Sequence, residues 1–245
     1  MVNGVAPRTY DAGSEMPGEY RETLLELCYH NSEELIGVGG RFEGHIADVM
    51  AMASEHAPDS RSMLRIAKFC HEEIKHGHQF YQVYAQIDGD LPRKIEEHGR
   101  LEFPRSKRTD PWLDFAITNI FFDRFGAFQI SEWIESSYAP FARIAAMQSA
   151  EEHRHARMGV IHLRPLLKDA ATKAKVQKKI ERFWYPLTLD MFGRAESPRN
   201  ERYRKWGLKR RTNEELRQAY RENLDADLVS LGLTPPDPAA GRRVF

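Results

Sequence analysis

Cysteine is nearly absent from this 245-residue chain: Cys28 and Cys70 are the only two. A disulfide framework is therefore implausible, and a reducing compartment is expected. An excess of one charge is lacking as well, since 36 Lys and Arg balance 36 Asp and Glu. With no net basic charge, nucleic-acid binding is a poor reading. No window approaches the roughly 20 apolar residues of a membrane span. The opening MVNGVAPRTYDAGSEMPGEY has no apolar run of the signal-peptide kind. A cytoplasmic protein, neither membrane-bound nor nucleic-acid-bound, is the expectation. Alternating β-branched residues are almost missing too, which argues against a sheet.

What is present is helix-period patterning. Hydrophobic residues make up 41% and charged residues 29%, a balance that supports a substantial core. Helices are expected at about 18–37, 41–56, 60–87, 111–136, 140–167, 170–192 and 212–231. Glycines 37, 39 and 40 interrupt the first stretch, and Asp110 with Pro111 reads as an N-cap and first turn. Residues 88–110 read as a long polar connection, and the tail TPPDPAAGRRVF as extended or poorly ordered. The expectation is one all-α domain over 1–245: a bundle over about 18–167 with additional C-terminal helices over about 170–245.

Two Glu-x-x-His motifs stand out, Glu73-Ile-Lys-His76 and Glu152-His-Arg-His155. Spacing of i, i+3 puts both side chains of a motif on one helical face. Each motif sits in a long helix with another carboxylate-bearing helix before it. That is the layout of di-iron carboxylate four-helix bundles, in which two helices give a Glu and two give Glu-x-x-His.

Helical phase selects among the acids. Ile66, Phe69, Glu73, His76, Phe80 and Tyr84 fall on one stripe, and Ala145, Gln148, Glu152, His155, Gly159 and His162 on another. Glu72 and Lys75 point elsewhere and read as solvated. His71, His78, Glu151, His153 and Arg154 lie off the stripes, and His162 reads as a core histidine. Glu43 stands 30 residues before Glu73, and Asp123 stands 29 before Glu152. Those near-equal offsets suggest two matched antiparallel helix pairs. Glu33 and Glu34 are rivals to Glu43. Glu132 is the rival to Asp123, but nine residues is about 900° of helix turn, so it reads as surface. Four carboxylates and two imidazoles suit a pair of iron or manganese ions rather than zinc or copper. Buried ion pairs without metal are the competing account.

Beyond the motifs, the blocks HEEIKHGHQFY, SSYAPFARIAAMQSAEEHRHARMG, ERFWYPLTLDMFG and KWGLKRRTNEELRQAYRENL carry a resemblance. The chain resembles the catalytic subunits of the ring-1,2-phenylacetyl-CoA epoxidase family and, more distantly, the benzoyl-CoA epoxidase component. The resemblance implies a ferritin-like four-helix bundle. It implies two iron ions, with manganese as the alternative, held by Glu43, Glu73, His76, Asp123, Glu152 and His155. It also implies reductive O2 activation and oxygen insertion into an aromatic acyl-CoA, with Glu43, Glu73, Asp123 and Glu152 as the catalytic carboxylates. An external flavin and iron–sulfur reductase, and a second copy or a related non-catalytic subunit, would be partners. The alternatives are a stand-alone di-metal oxidase or N-oxygenase, and a metal-free structural partner of such an enzyme. Arg124 departs from the small residue the family tends to carry after the aspartate. Phe69, Phe80, Phe121, Phe122, Phe128 and Ile130 are candidate walls for a ring. Lys205, Lys209, Arg210 and Arg211, in a basic run from 194 to 211, are candidates for CoA phosphates, since arginine forks suit phosphate.

Overall fold

Apolar residues recurring every three to four positions produce helices almost where that period places them. The computed structural model describes the backbone of residues 9–36, 41–88 and 110–244, and the side chains of 9–28, 49–88 and 110–244. The helices are α1 (Gly18–Ile36), α2 (Arg41–His56), α3 (Ser60–Ile87), α4 (Pro111–Thr118), α5 (Arg124–Ser131), α6 (Ala139–Leu166), α7 (Ala170–Lys179), α8 (Tyr185–Asp190), α9 (Pro198–Lys205) and α10 (Asn213–Ser230). No strand occurs among the described residues; Tyr10 and Tyr138 form a single isolated bridge. The fold is all-α. No helix is long and apolar enough to cross a membrane among the described residues.

Local chemistry fixes the helix ends. Asp59 caps α3 by accepting from Ser62 N at 2.7 Å, Asp110 caps α4 from Leu113 N at 3.4 Å, and Pro111 follows it as expected. Thr212 and Glu215 form a reciprocal capping box at the start of α10. Three details escape the periodicity. One-turn π-helices at Asn119–Asp123 and Ile180–Trp184 interrupt the expected helices at 111–136 and 170–192, and the short α9 adds a helix. The helical run from Pro111 ends at Ser131, five residues early. The expected 88–110 connection falls almost wholly outside the described residues.

The chain groups into two compact units. The first contains α1, α2 and α3 with residues 133–146 and 202–209. Both α1 and α2 pack along α3. Phe80, Trp133 and Phe141 interlock edge to face, with centroids 5.0 to 5.5 Å apart. Tyr10 exchanges backbone hydrogen bonds with Ser137 and Ala139, each 2.8 Å, and so fastens the N-terminal segment.

The second unit contains residues 109–132, 147–201 and 210–245. Its core joins Leu113, Ile117, Phe121, Leu163, Ile180, Leu189, Tyr220 and Leu224. The buried Tyr220 hydroxyl donates to the Phe121 carbonyl at 3.0 Å, tying α10 to the π-turn. The tail is irregular but anchored, which rules out the poorly ordered alternative. Thr234 and Gln177 exchange hydrogen bonds of 2.8 and 3.0 Å, and Asp190 accepts from the backbone of Arg243 and Val244 and from the Arg242 guanidinium.

Candidate metal centre

In the first unit, α3 presents Glu73 and His76 on the same face. His76 is fully buried and the Glu73 side chain is 13% exposed, with Glu73 Oε1 4.0 Å from His76 Nδ1. The rest of the stripe, Ile66, Phe69, Phe80 and Tyr84, is buried, so carboxylate and imidazole stand in an apolar surface. Cys70 lies one turn before Glu73. Burial, then the neighbouring Glu73 carboxylate, pushes its thiol up to about 11, so it stays neutral at physiological pH. His71 and His78 are exposed, as their phase implies.

In the second unit, α6 presents Glu152 and His155, both 3% exposed, with Glu152 Oε2 3.8 Å from His155 Nδ1. Asp123 comes from the π-turn opposite and is buried at 7%. Asn119 Nδ2 donates to Asp123 Oδ2 at 2.5 Å. The register is read from three contacts. A Cβ on Gly159 would lie 2.6 Å from the Ala116 carbonyl oxygen, a Cβ on Gly126 would lie 3.2 Å from Glu152 Oε2, and Ser149 Oγ approaches the Ala127 carbonyl at 3.5 Å. Pairing 116 with 159, 126 with 152 and 127 with 149 makes the helices antiparallel. It sets Asp123 at the level of Glu152 and His155. Gly159 permits the close crossing, and Gly126 leaves the space that the Glu152 carboxylate occupies.

Several expectations need correction. Glu72 is buried, not solvated: it is 5% exposed, with Lys68 3.5 Å away along the helix. Glu151, also off the stripe, is buried beside Arg154 at 3.6 Å. Glu132 is fully buried rather than on the surface. It accepts from Arg210 N at 3.0 Å, Arg211 N at 2.7 Å and Arg211 Nε at 2.5 Å. Burial alone would raise its carboxyl, but the hydrogen bonds from Arg211 and Arg210 outweigh that and hold it below the ordinary carboxylate range. The phase argument misleads because Glu132 closes α5 with its backbone still helical, but the face it points to is covered by Arg210 and Arg211 rather than by water.

The basic run is also engaged with the protein. Lys205 bonds Glu19 at 2.8 Å, Lys209 lies over the rings of Trp133 and Tyr203, and Arg210 reaches the Ser131 carbonyl at 3.4 Å. Of the candidate ring walls, Phe121 and Phe128 face Trp184 and Tyr220 in the core, and Phe122 is 38% exposed. The side chain of Glu43, like those of Glu33 and Glu34, lies outside the described residues. His162 is the expected core histidine, edge-on to Trp112 at 4.8 Å.

Arg124 was visible in the sequence only as an oddity. It is buried and donates to the Ile120 carbonyl, to Asn223 and to Asp227, joining the π-turn to α10. Asn119, which donates to Asp123, carried no signal in the sequence.

The chain is similar to one of the subunits of 1,2-phenylacetyl-CoA epoxidase from Escherichia coli (strain K12): 29% identical over 232 residues, or 91% of this chain and 72% of that protein. It is also similar to benzoyl-CoA oxygenase component B from Aromatoleum evansii: 26% identical over 235 residues, or 84% of this chain and 48% of that protein. It thus spans about half the length of the second relative. A model of the phenylacetic acid catabolic protein family matches residues 8–243, and the all-α fold agrees with that family's ferritin-like helical architecture. With nearly its whole length inside that match, the chain belongs to the phenylacetic acid catabolic protein family.

Proposed function

We propose that this protein is a di-iron monooxygenase that oxygenates an aromatic acyl-CoA. One observation carries the reading: two Glu-x-x-His pairs, each with its carboxylate about 4 Å from its own buried imidazole, in a chain whose relatives are named epoxidase and oxygenase. In this reading Glu73, Glu152 and His155 are among the metal ligands. His76, Asp123 and Glu43 complete the set, and both units act as one ferritin-like domain.

The residues fit such a group. Three described carboxylates and two imidazoles form an oxygen-rich donor set suited to iron or manganese. The Gly126 gap, which a Cβ would fill, receives a Glu152 oxygen. When bound, the metal pair supplies the reductive activation of O2. The chain supplies the rest. Glu73 and Glu152 each bring a carboxylate into a largely buried setting, where a bound cation would offset part of its desolvation. Phe69 and Phe80, on the Glu73 stripe and buried, exclude water from that face. For the CoA phosphates the reading uses Lys205, Lys209, Arg210 and Arg211, with Lys209 and Arg210 foremost. Arg211 is committed to Glu132 and Lys205 to Glu19.

No other redox group is assigned, so electrons come from an external reductase. One relative is named as a subunit, the other as a component, which favours an assembly of several chains. The test is turnover: iron-loaded protein with reductase, O2 and its partner chain is given phenylacetyl-CoA or benzoyl-CoA. The expected result is an acyl-CoA heavier by one oxygen atom, lost in Glu152→Ala. Product formed equally by that variant would overturn the reading.

A further inference from the structure

We infer that the outward face of α3 is a docking surface for a helix of a different chain, one that carries acidic residues along its border. Seven residues make this face: Leu64, Ala67, His71, Ile74, His78, Tyr81 and Ala85, all exposed. They follow one another at alternating spacings of three and four without a break. Leu64 is 73% exposed, Ile74 52% and Tyr81 38%, so the largest apolar side chains of the stripe stand in water. No Asp, Glu, Lys or Arg is among the seven, although 29% of the chain is charged. The solvent face of a helix ordinarily carries charge, whereas a continuous exposed apolar stripe marks an interaction site. Glu73 and His76 lie on the other side of α3, so this face is separate from the candidate metal centre.

The spacing identifies the occupant as a helix. A repeat of 3.5 residues keeps a seam in line with a neighbouring helix that crosses at about 20°. From Leu64 to Ala85 the seam runs about 32 Å, so a partner helix of about six turns covers it. The border of the seam identifies the chemistry. Arg61, Lys68, Lys75 and Gln82 recur every seven residues along one side of it, three cations and no acid. Along the other side Met63, Cys70, Gly77 and Tyr84 are buried or half-buried in the chain's own interior. The basic border therefore selects the partner, and it selects Asp or Glu. A second copy of this chain does not supply them. In an antiparallel pair of copies centred on the seam, Lys75 meets Lys75; in a parallel pair, the basic border meets Met63, Cys70, Gly77 and Tyr84. Neither arrangement brings an acid to the cations.

Fluorescence anisotropy with the full-length protein and a labelled peptide tests this. The peptide repeats a heptad about four times, with Leu at both seam positions and Glu along both borders, where the like charges keep it from pairing with itself. A second peptide carries Lys in place of every Glu. Wild type is expected to bind the Glu peptide about ten-fold or more tighter than the Lys peptide. Leu64→Glu and Ile74→Glu should each weaken the Glu peptide by about ten-fold or more while keeping the wild-type thermal midpoint. Lys68→Glu combined with Lys75→Glu should reverse the preference between the peptides. Leu64, the most exposed of the stripe, carries the test if Ile74→Glu does not fold. No binding of the Glu peptide, equal binding of the two peptides, or binding unchanged in Leu64→Glu would overturn the inference. A wild-type dimer in light scattering that Leu64→Glu dissociates would overturn it too, because the occupant would then be a second copy. None of these outcomes bears on the metal reading.

Discussion

Replacing Gly159 with alanine sets two effects of opposite sign against each other. Alanine in a helix interior is favoured over glycine by about 1 kcal/mol. Against this, the added Cβ would lie 2.6 Å from the Ala116 carbonyl oxygen, 2.8 Å from Ile120 N and 2.9 Å from Asn119 Cβ. Two of the three are backbone atoms, so no side-chain rotation relieves the overlap, and the helices must separate. Overpacking of this kind costs about 3 kcal/mol, the upper part of its usual range. The net expectation is a loss of about 2 kcal/mol, or about 4–8 °C in thermal midpoint for a chain of this size. Thermal unfolding followed by circular dichroism measures it, with Gly18→Ala as the control. A Cβ there meets nothing within 4 Å, so that variant should melt at or slightly above wild type. A Gly159→Ala protein that melts as high as Gly18→Ala would refute the close crossing and the register that aligns Asp123 with Glu152.

Glu132→Gln should destabilise the protein by about 2–4 kcal/mol, because it leaves Arg211 without its buried partner. The Glu132 carboxyl is held below its ordinary value of 4.5 in the folded state. Its contribution is therefore complete above the unfolded pKa and is lost as pH falls through the folded one. Denaturant midpoints should show the gap between wild type and variant closing below about pH 4.5, and a gap that widens there would contradict this. Arg124→Met should cost about 1–3 kcal/mol in urea unfolding by cutting the ties to Asn223 and Asp227. Gly126→Ala, whose Cβ would crowd Glu152 Oε2, should weaken metal uptake in a Co(II) titration while changing the unfolding midpoint little. His71→Ala and His78→Ala, at exposed positions, should match wild type in both assays.

Much of this fold was legible because a 3.6-residue apolar period is a strong local signal over 28 residues, as in α3 and α6. The inward pairs Glu73–His76 and Glu152–His155 followed from the same phase. What stayed hidden depends on contacts distant in sequence, or on departures from regular helix. The π-turn at Asn119–Asp123 has no signature in NIFFD. Glu132 was misplaced because the segment that covers its face, Arg210 and Arg211, comes from 78 or more residues away. Glu72 and Glu151 show that a helix covered on more than one side buries more than its central stripe. The basic run read as one surface patch, yet Lys205 and Arg211 are tied to Glu19 and Glu132.

The central claim is that the two Glu-x-x-His pairs serve one metal site, and metal content tests it most directly. Protein expressed with ample iron is purified and its bound metal is counted, beside Glu73→Ala and Glu152→Ala variants that retain the wild-type helical signal. The account predicts about two iron ions per wild-type chain and a loss of most of that iron in either variant alone. Trace metal in the wild type, or full iron in both variants, would contradict it.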